Sequence, residues 1–171
     1  MQMTTLNEEL ALLLTYPRAD RLDELRAAVS ALSLADEELA RLLTPLKETL
    51  EAGDTGALEE VFTRTFDNNA ERALEIGWQL HGENYDRGRF MVQMRQALRE
   101  HGIEEGTELP DHLSAALKLL PRLETERAWR FAGSAVLPAI EKILKGFRGL
   151  ESPYEGVVQA AAHMIKKQLE A

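Results

Sequence analysis

Two short stretches concentrate the side chains that chemistry would need. His81-Gly82-Glu83-Asn84-Tyr85-Asp86-Arg87-Gly88-Arg89 carries an imidazole, two carboxylates, a phenol and two guanidinium groups. Glu108-Leu109-Pro110-Asp111-His112-Leu113 adds a second imidazole and two further carboxylates. A helical zinc site wants ligands at i and i+4, as in HExxH. None of the four histidines, His81, His101, His112 and His163, is so paired. His81, Glu83 and Asp86 could converge across a turn, but their spacing matches no common ligand set. A serine triad wants a nucleophile elbow of the GxSxG kind, and Ser30, Ser33, Ser114, Ser134 and Ser152 all lie outside such a context. No P-loop or GxGxxG turn is present to hold phosphate. The structural alternative for both stretches is helix capping plus a buried ion pair.

The elements that must position these residues read as helices throughout. Leu6, Leu10, Leu13 and Leu14 form a stripe that Tyr16-Pro17 ends, because the residue before proline is steered away from the α region. A second helix follows Asp20, with Leu22, Leu25, Val29 and Leu32 on one face. Asp36 opens a third, in which Pro45 should produce a kink or a break. Leu58, Val61, Phe62 and Phe66 belong to a fourth, broken at Asp67-Asn68-Asn69. A short element carries Leu74, Ile76, Trp78 and Leu80 up to His81-Gly82. Asn84 then suits the cap of a helix that buries Phe90, Met91, Met94 and Leu98 and stops at His101-Gly102. Within it Gly88 costs about 1 kcal/mol relative to alanine, which close approach of another backbone or room for a ligand would explain. Pro110 fits the first position of the next helix, with Asp111 near its positive end. A long helix from about Glu124 to Phe147 turns Trp129, Val136, Ile140, Ile143 and Leu144 inward and bends at Pro138. A last one runs from Val157 to Leu169. Alternating Val/Ile/Thr runs and Asn-Gly turns are missing. The expectation is an all-α fold, one domain over residues 1–171, built as a bundle of roughly eight to ten helices.

Composition narrows the function classes. There are 20 Lys and Arg against 29 Asp and Glu, a net charge of −9. That argues against a nucleic-acid partner, which needs a basic face, and is compatible with a basic one. With no cysteine, thiolate catalysis, iron–sulfur ligation and Cys-type zinc sites drop out. The first twenty residues lack the positive start of a signal peptide. No apolar run approaches the ~18 residues of a membrane span. A cytoplasmic protein with no stable membrane insertion is expected.

The pattern HGExxDRGxxM, followed about twenty residues later by ELPDHLSAALKLLPRL, resembles the NarJ-like branch of the NarJ/TorD/DmsD chaperones of molybdenum-dependent oxidoreductases. LALLLTYPRADRLDEL near the start and SPYEGVVQAA near the end are similar to that branch too. The resemblance implies an all-helical protein without catalysis and with no cofactor of its own. Its partner would be the apo catalytic subunit of a molybdoenzyme, held through its N-terminal, twin-arginine-like segment until the molybdenum cofactor is inserted. In the NarJ branch that client is a respiratory nitrate reductase, and the chaperone is not part of the finished enzyme. Carried over, the matching positions are His81, Gly82, Glu83, Asp86, Arg87 and Gly88, then Leu109, Pro110, Asp111, His112 and Leu113. In the resulting picture an amphipathic peptide docks on Trp78, Tyr85, Phe90 and Met94, and Glu83, Asp86 and Asp111 meet its cations. The candidate client-binding set is therefore Trp78, His81, Glu83, Tyr85, Asp86, Arg87, Pro110, Asp111 and His112, with no catalytic or metal residue. The rivals are a small metal-dependent hydrolase using His81, Glu83, Asp86, Asp111 and His112, and a generic helical adaptor.

Overall fold

Apolar residues three and four apart give each segment one face that must leave water. Ten α-helical segments result in the computed structural model, which describes residues 2–171. They are α1 (Gln2–Leu13), α2 (Leu22–Ala35), α3 (Glu37–Glu51), α4 (Thr55–Phe62), α5 (Ile76–His81), α6 (Tyr85–Glu100), α7 (Leu113–Leu119), α8 (Thr125–Phe131), α9 (Leu137–Lys145) and α10 (Pro153–Glu170). A π turn over Thr63–Asp67 extends α4, and another over Ala132–Val136 fuses α8 to α9. Among the described residues there is no strand, only one isolated antiparallel bridge between Glu75 and His112. The all-α expectation holds. No helix of the described residues is long and apolar enough to cross a membrane.

The core forms where α3 packs against α2 and α10, and where α1 packs against α2 and α7. Leu10, Leu14, Leu32, Leu43, Leu46, Leu113 and Leu117 fill it and are fully buried. The α3–α10 crossing is close because Gly156 has no side chain: a Cβ there would lie 1.9 Å from the Leu42 carbonyl oxygen. Asp36 fastens the same pair of helices. Its carboxylate caps α3 by accepting from the Glu38 and Leu39 amides. It also accepts from Lys167 Nζ at 2.6 Å, and His163 Nε2 lies 3.1 Å away. The Lys167 bond, opposed by burial and helped by His163, holds this carboxyl far below the usual range.

Four local expectations are corrected. Pro45 does not split α3, which runs unbroken from Glu37 to Glu51. It lies on the exposed face, so the carbonyl it leaves without an amide partner can be served by water. The long helix does run from the Glu124 cap through Lys145, but Trp129 is 54% exposed and points outward. The π turn at Ala132–Val136 shifts the helical register ahead of Pro138, which relieves its clash with the preceding turn. Pro110 does not open α7: His112 is the cap, and Pro110 and Asp111 lie before it in non-helical backbone. Gly88 is not a point of close approach, since nothing lies within 4 Å of a Cβ built there.

Candidate functional site

The α5–α6 corner is built by its turn residues. Gly82 adopts φ +67°, and its amide donates to the Trp78 carbonyl at 2.8 Å. Asn84 caps α6, accepting from the Asp86 and Arg87 amides and donating back to the His81 carbonyl at 2.6 Å. The corner is clamped to the segment before α7 by two backbone bonds around the Glu75–His112 bridge. The Ile76 amide donates to the Asp111 carbonyl at 2.7 Å, and the Leu113 amide to the Leu74 carbonyl at 2.8 Å.

One ion pair locks this junction. Arg87 Nε donates to Asp111 Oδ2 at 3.1 Å, and the Asp111 side chain is 0% exposed. The Arg87 guanidinium lies over the Trp78 ring, 5.9 Å from its centre, and Trp78 Nε1 donates to the Ala70 carbonyl at 3.0 Å. Gly77 makes room for the pair: a Cβ there would lie 2.7 Å from Asp111 Oδ2 and 3.1 Å from Arg87 Cγ. Asp111 Oδ1 is buried without a hydrogen-bond partner, so losing Arg87 would leave a wholly unpaired buried charge.

On the other side of the bridge lies a pocket of about 450 Å³. Tyr16, Phe62 and Phe66 line its apolar side, and Phe62 meets both other rings edge-on at 5.8 and 5.0 Å. Asp67 comes from the end of the π turn, Glu75 from the bridge and Glu108 from the loop before α7. No Lys or Arg lines the pocket, and among the described residues none pairs with these three carboxylates. Burial pushes all three carboxyls up. At Glu75 the Asp111 charge and then Asp67 add to this, opposed by a hydrogen bond from its own backbone amide and by Arg87; at Glu108 the Glu75 and Asp67 charges add to it.

His112 also lines this pocket and is 4% exposed. Its Nδ1 accepts from the Ser114 amide at 3.1 Å, which caps α7, and lies 2.7 Å from Ser114 Oγ; with the hydroxyl donating to it as well, the ring proton is on Nε2. Nε2 has no hydrogen-bond partner, and the Glu108 carboxylate is 3.8 Å away. Burial, helped by the Lys118 charge, lowers this imidazole to about 4, so it stays neutral. The fold therefore favours unprotonated His112. That stability is fully present above the unfolded value of about 6.5 and is lost as pH falls towards 4. The shift corresponds to about 3 kcal/mol. His112→Asn keeps a good capping residue. Chemical denaturation at a series of pH values should show wild type losing that amount relative to the variant between pH 6.5 and 4. The variant also carries the raised carboxyls, which work in the opposite direction, so the difference isolates His112. Parallel pH curves for the two proteins would contradict the buried neutral imidazole.

The structure thus brings Trp78, Arg87, Asp111 and His112 into one junction. Asp111 is spent on Arg87, and His112 alone of the expected set lines the acidic pocket. His81 packs near Phe90, with ring centres 6.2 Å apart. Glu83 and Asp86 are exposed, and Tyr85 is 81% exposed. Pro110 is buried but lines a neighbouring trough of about 310 Å³ that shares Tyr16 and Glu108 with the pocket. Phe90 and Met94 lie on a separate groove between α6 and α8. The hydrolase reading needs the two clusters to converge, yet no three His, Asp or Glu side chains among the described residues could hold a metal together. Sequence reading missed Tyr16, Phe62, Phe66, Asp67 and Glu75 as site residues. Glu108 opens the ELPDHL stretch and Tyr16 lies in LALLLTYPRADRLDEL, but neither carried an assigned role.

Comparison with known proteins identifies a family. Residues 33–149 match the family model described as nitrate reductase delta subunit. The chain is 30% identical over 120 residues to the nitrate reductase molybdenum cofactor assembly chaperone NarJ of Escherichia coli K12. It is equally similar to the protein of the same description from Escherichia coli O157:H7. The match covers 68% of this chain and 51% of each relative, so it spans about half the length of those proteins. The chain belongs to the nitrate reductase delta subunit family.

Proposed function

We propose that this protein is a dedicated assembly chaperone for a molybdoenzyme catalytic subunit, that of a respiratory nitrate reductase. It binds the N-terminal segment of the apo subunit, holds it while the molybdenum cofactor is inserted, and leaves before the enzyme is finished. It does this in the cytoplasm and without catalysis. One observation carries the reading: a pocket with three carboxylates unpaired with Lys or Arg and an aromatic wall adjoins a trough of about 310 Å³. The trough in turn shares Thr15, Arg21, Ile103 and Lys118 with a wider one of about 760 Å³. An unfinished subunit offering a basic, partly apolar segment complements the pocket, while the troughs carry charges of both signs.

Within the expected binding set we assign direct contact to His112 and, along the trough, to Pro110. Arg87, Asp111 and Trp78 hold the bridge that presents Glu75 and His112. His81, Glu83, Tyr85 and Asp86 form an exposed corner available to a larger part of the client. The test is co-purification of the chain with a tagged catalytic subunit, with and without that subunit's N-terminal segment. Dependence on the segment supports a dedicated chaperone; indifference to it leaves only a generic adaptor.

A further inference from the structure

We infer that the pocket between the π turn and the Glu75–His112 bridge is a socket for a single guanidinium, one arginine side chain of a bound segment. The inference rests on the peptide-binding reading above and names the ligand chemistry of that site. The carboxylates of Asp67, Glu75 and Glu108 reach the pocket from three separate chain segments, without an internal cation. Glu75 and Glu108 are half-buried and Asp67 stands exposed at the rim; leaving the half-buried like charges unneutralised is costly, and a bound cation removes the cost. The second observation is His112, almost wholly buried, with Nε2–H facing the pocket and unbonded. Because it is a neutral donor it adds no competing charge, and it suits a backbone carbonyl of the same segment.

The chemistry selects among cations. A metal is disfavoured, since no three carboxylate or imidazole groups here are disposed to hold one. A guanidinium presents five donors in a planar fork, which matches carboxylates arriving from different directions. Its flat face can lie against Tyr16 and Phe62. An ammonium is a compact, strongly hydrated charge and gains less from the same walls. The socket takes one such group. Successive side chains of an extended segment point to opposite sides, so a neighbouring arginine stays outside.

The experiment titrates the full chain, labelled with ¹⁵N, with the blocked peptide Ac-Ala-Ala-Arg-Ala-Ala-Ala-NH2. Versions with lysine, uncharged citrulline or Arg-Arg in place of the arginine follow, and N-acetylarginine amide serves as the free small-molecule source. The expected result is saturable shifts at Glu75, Glu108 and His112. Citrulline should bind at least ~10-fold more weakly, lysine a few-fold more weakly, and Arg-Arg within about twofold of the single arginine. N-acetylarginine amide should bind at the same residues but more weakly than the peptide, because it lacks the flanking backbone. Glu75→Gln with Glu108→Gln should lower affinity at least ~10-fold with no loss of thermal stability, and Asp67→Asn, on the most exposed carboxylate, should lower it less. Equal binding of citrulline, a large gain from the second arginine, free ligand matching the peptide, or shifts confined to the Lys118 trough would overturn the socket. Its failure is separable from failure of the chaperone reading. A catalytic subunit's N-terminal segment that binds unaffected by the Gln variants removes the socket alone. Arginine peptides that bind here while that segment does not remove the chaperone reading alone.

Discussion

Replacing Gly156 by alanine is expected to cost at least about 3 kcal/mol of folding stability, lowering the thermal midpoint by roughly 6–12 °C. The added Cβ would lie 1.9 Å from the Leu42 carbonyl oxygen and 3.0 Å from its carbon. Both are backbone atoms inside α3, so no side-chain rotation relieves the contact. The helices must part, and the separation loosens Val157, Val158 and Ala160 against the α3 face that carries Leu39, Leu43 and Leu46. Gly88→Ala is the matched control. It too sits within a helix, but its Cβ would meet nothing within 4 Å, and that substitution should stabilise by up to about 1 kcal/mol. Thermal or urea unfolding of the two variants decides the point. Equal stability in both would mean that α3 and α10 do not cross at Gly156.

Arg87→Ala is expected to cost about 3–5 kcal/mol, because it strips from a fully buried carboxylate its only ion-pair partner among the described residues. With Arg87 in place the Asp111 side chain has no exposed surface, so the guanidinium and not water neutralises it. Arg87→Lys should recover only part of the loss, since a lysine ammonium neither fits the position of Nε nor lies flat over Trp78. Asp111→Asn in the Arg87→Ala background should restore much of it by removing the buried charge. The double-mutant cycle, read by chemical denaturation, measures the coupling directly. Additive losses in the cycle would contradict a buried pair. Because the pair also fixes the strand-like bridge, the single variant should lower client affinity through Glu75 and His112 as well, without touching the client.

Much of the helical framework is legible in the sequence because it follows from local rules. The leucine stripes of α1 to α3, the Asp36 and Asn84 caps and the Gly102 stop all depend on residues within two turns of one another. The misreadings come from tertiary context. Pro45 is tolerated because its face is exposed, and Trp129 points outward because its helix turns Ala128 and Ala132 inward instead. The LPDH motif looked like a helix start with Asp111 at its positive end. His112 takes the capping role, and Asp111 is drawn away to Arg87, 24 residues earlier. The pocket was the least legible part. Tyr16, Asp67, Glu75 and Glu108 come from four separate segments, and nothing in any one window shows that they meet. Of the corner at His81 to Arg89, Arg87 is the residue that reaches Asp111 and holds the Glu75–His112 bridge. Both bridge residues line the acidic pocket.

The most direct test of the chaperone reading is co-expression of the full chain with a tagged respiratory nitrate reductase catalytic subunit, followed by affinity purification and molybdenum analysis. The account predicts that the chain co-purifies with molybdenum-free subunit and is absent from the molybdenum-loaded form. It also predicts that deleting the subunit's N-terminal segment abolishes the association, and that Glu75→Gln with Glu108→Gln weakens it. Retention of the truncated subunit at wild-type level, or equal association with loaded and unloaded enzyme, would contradict it.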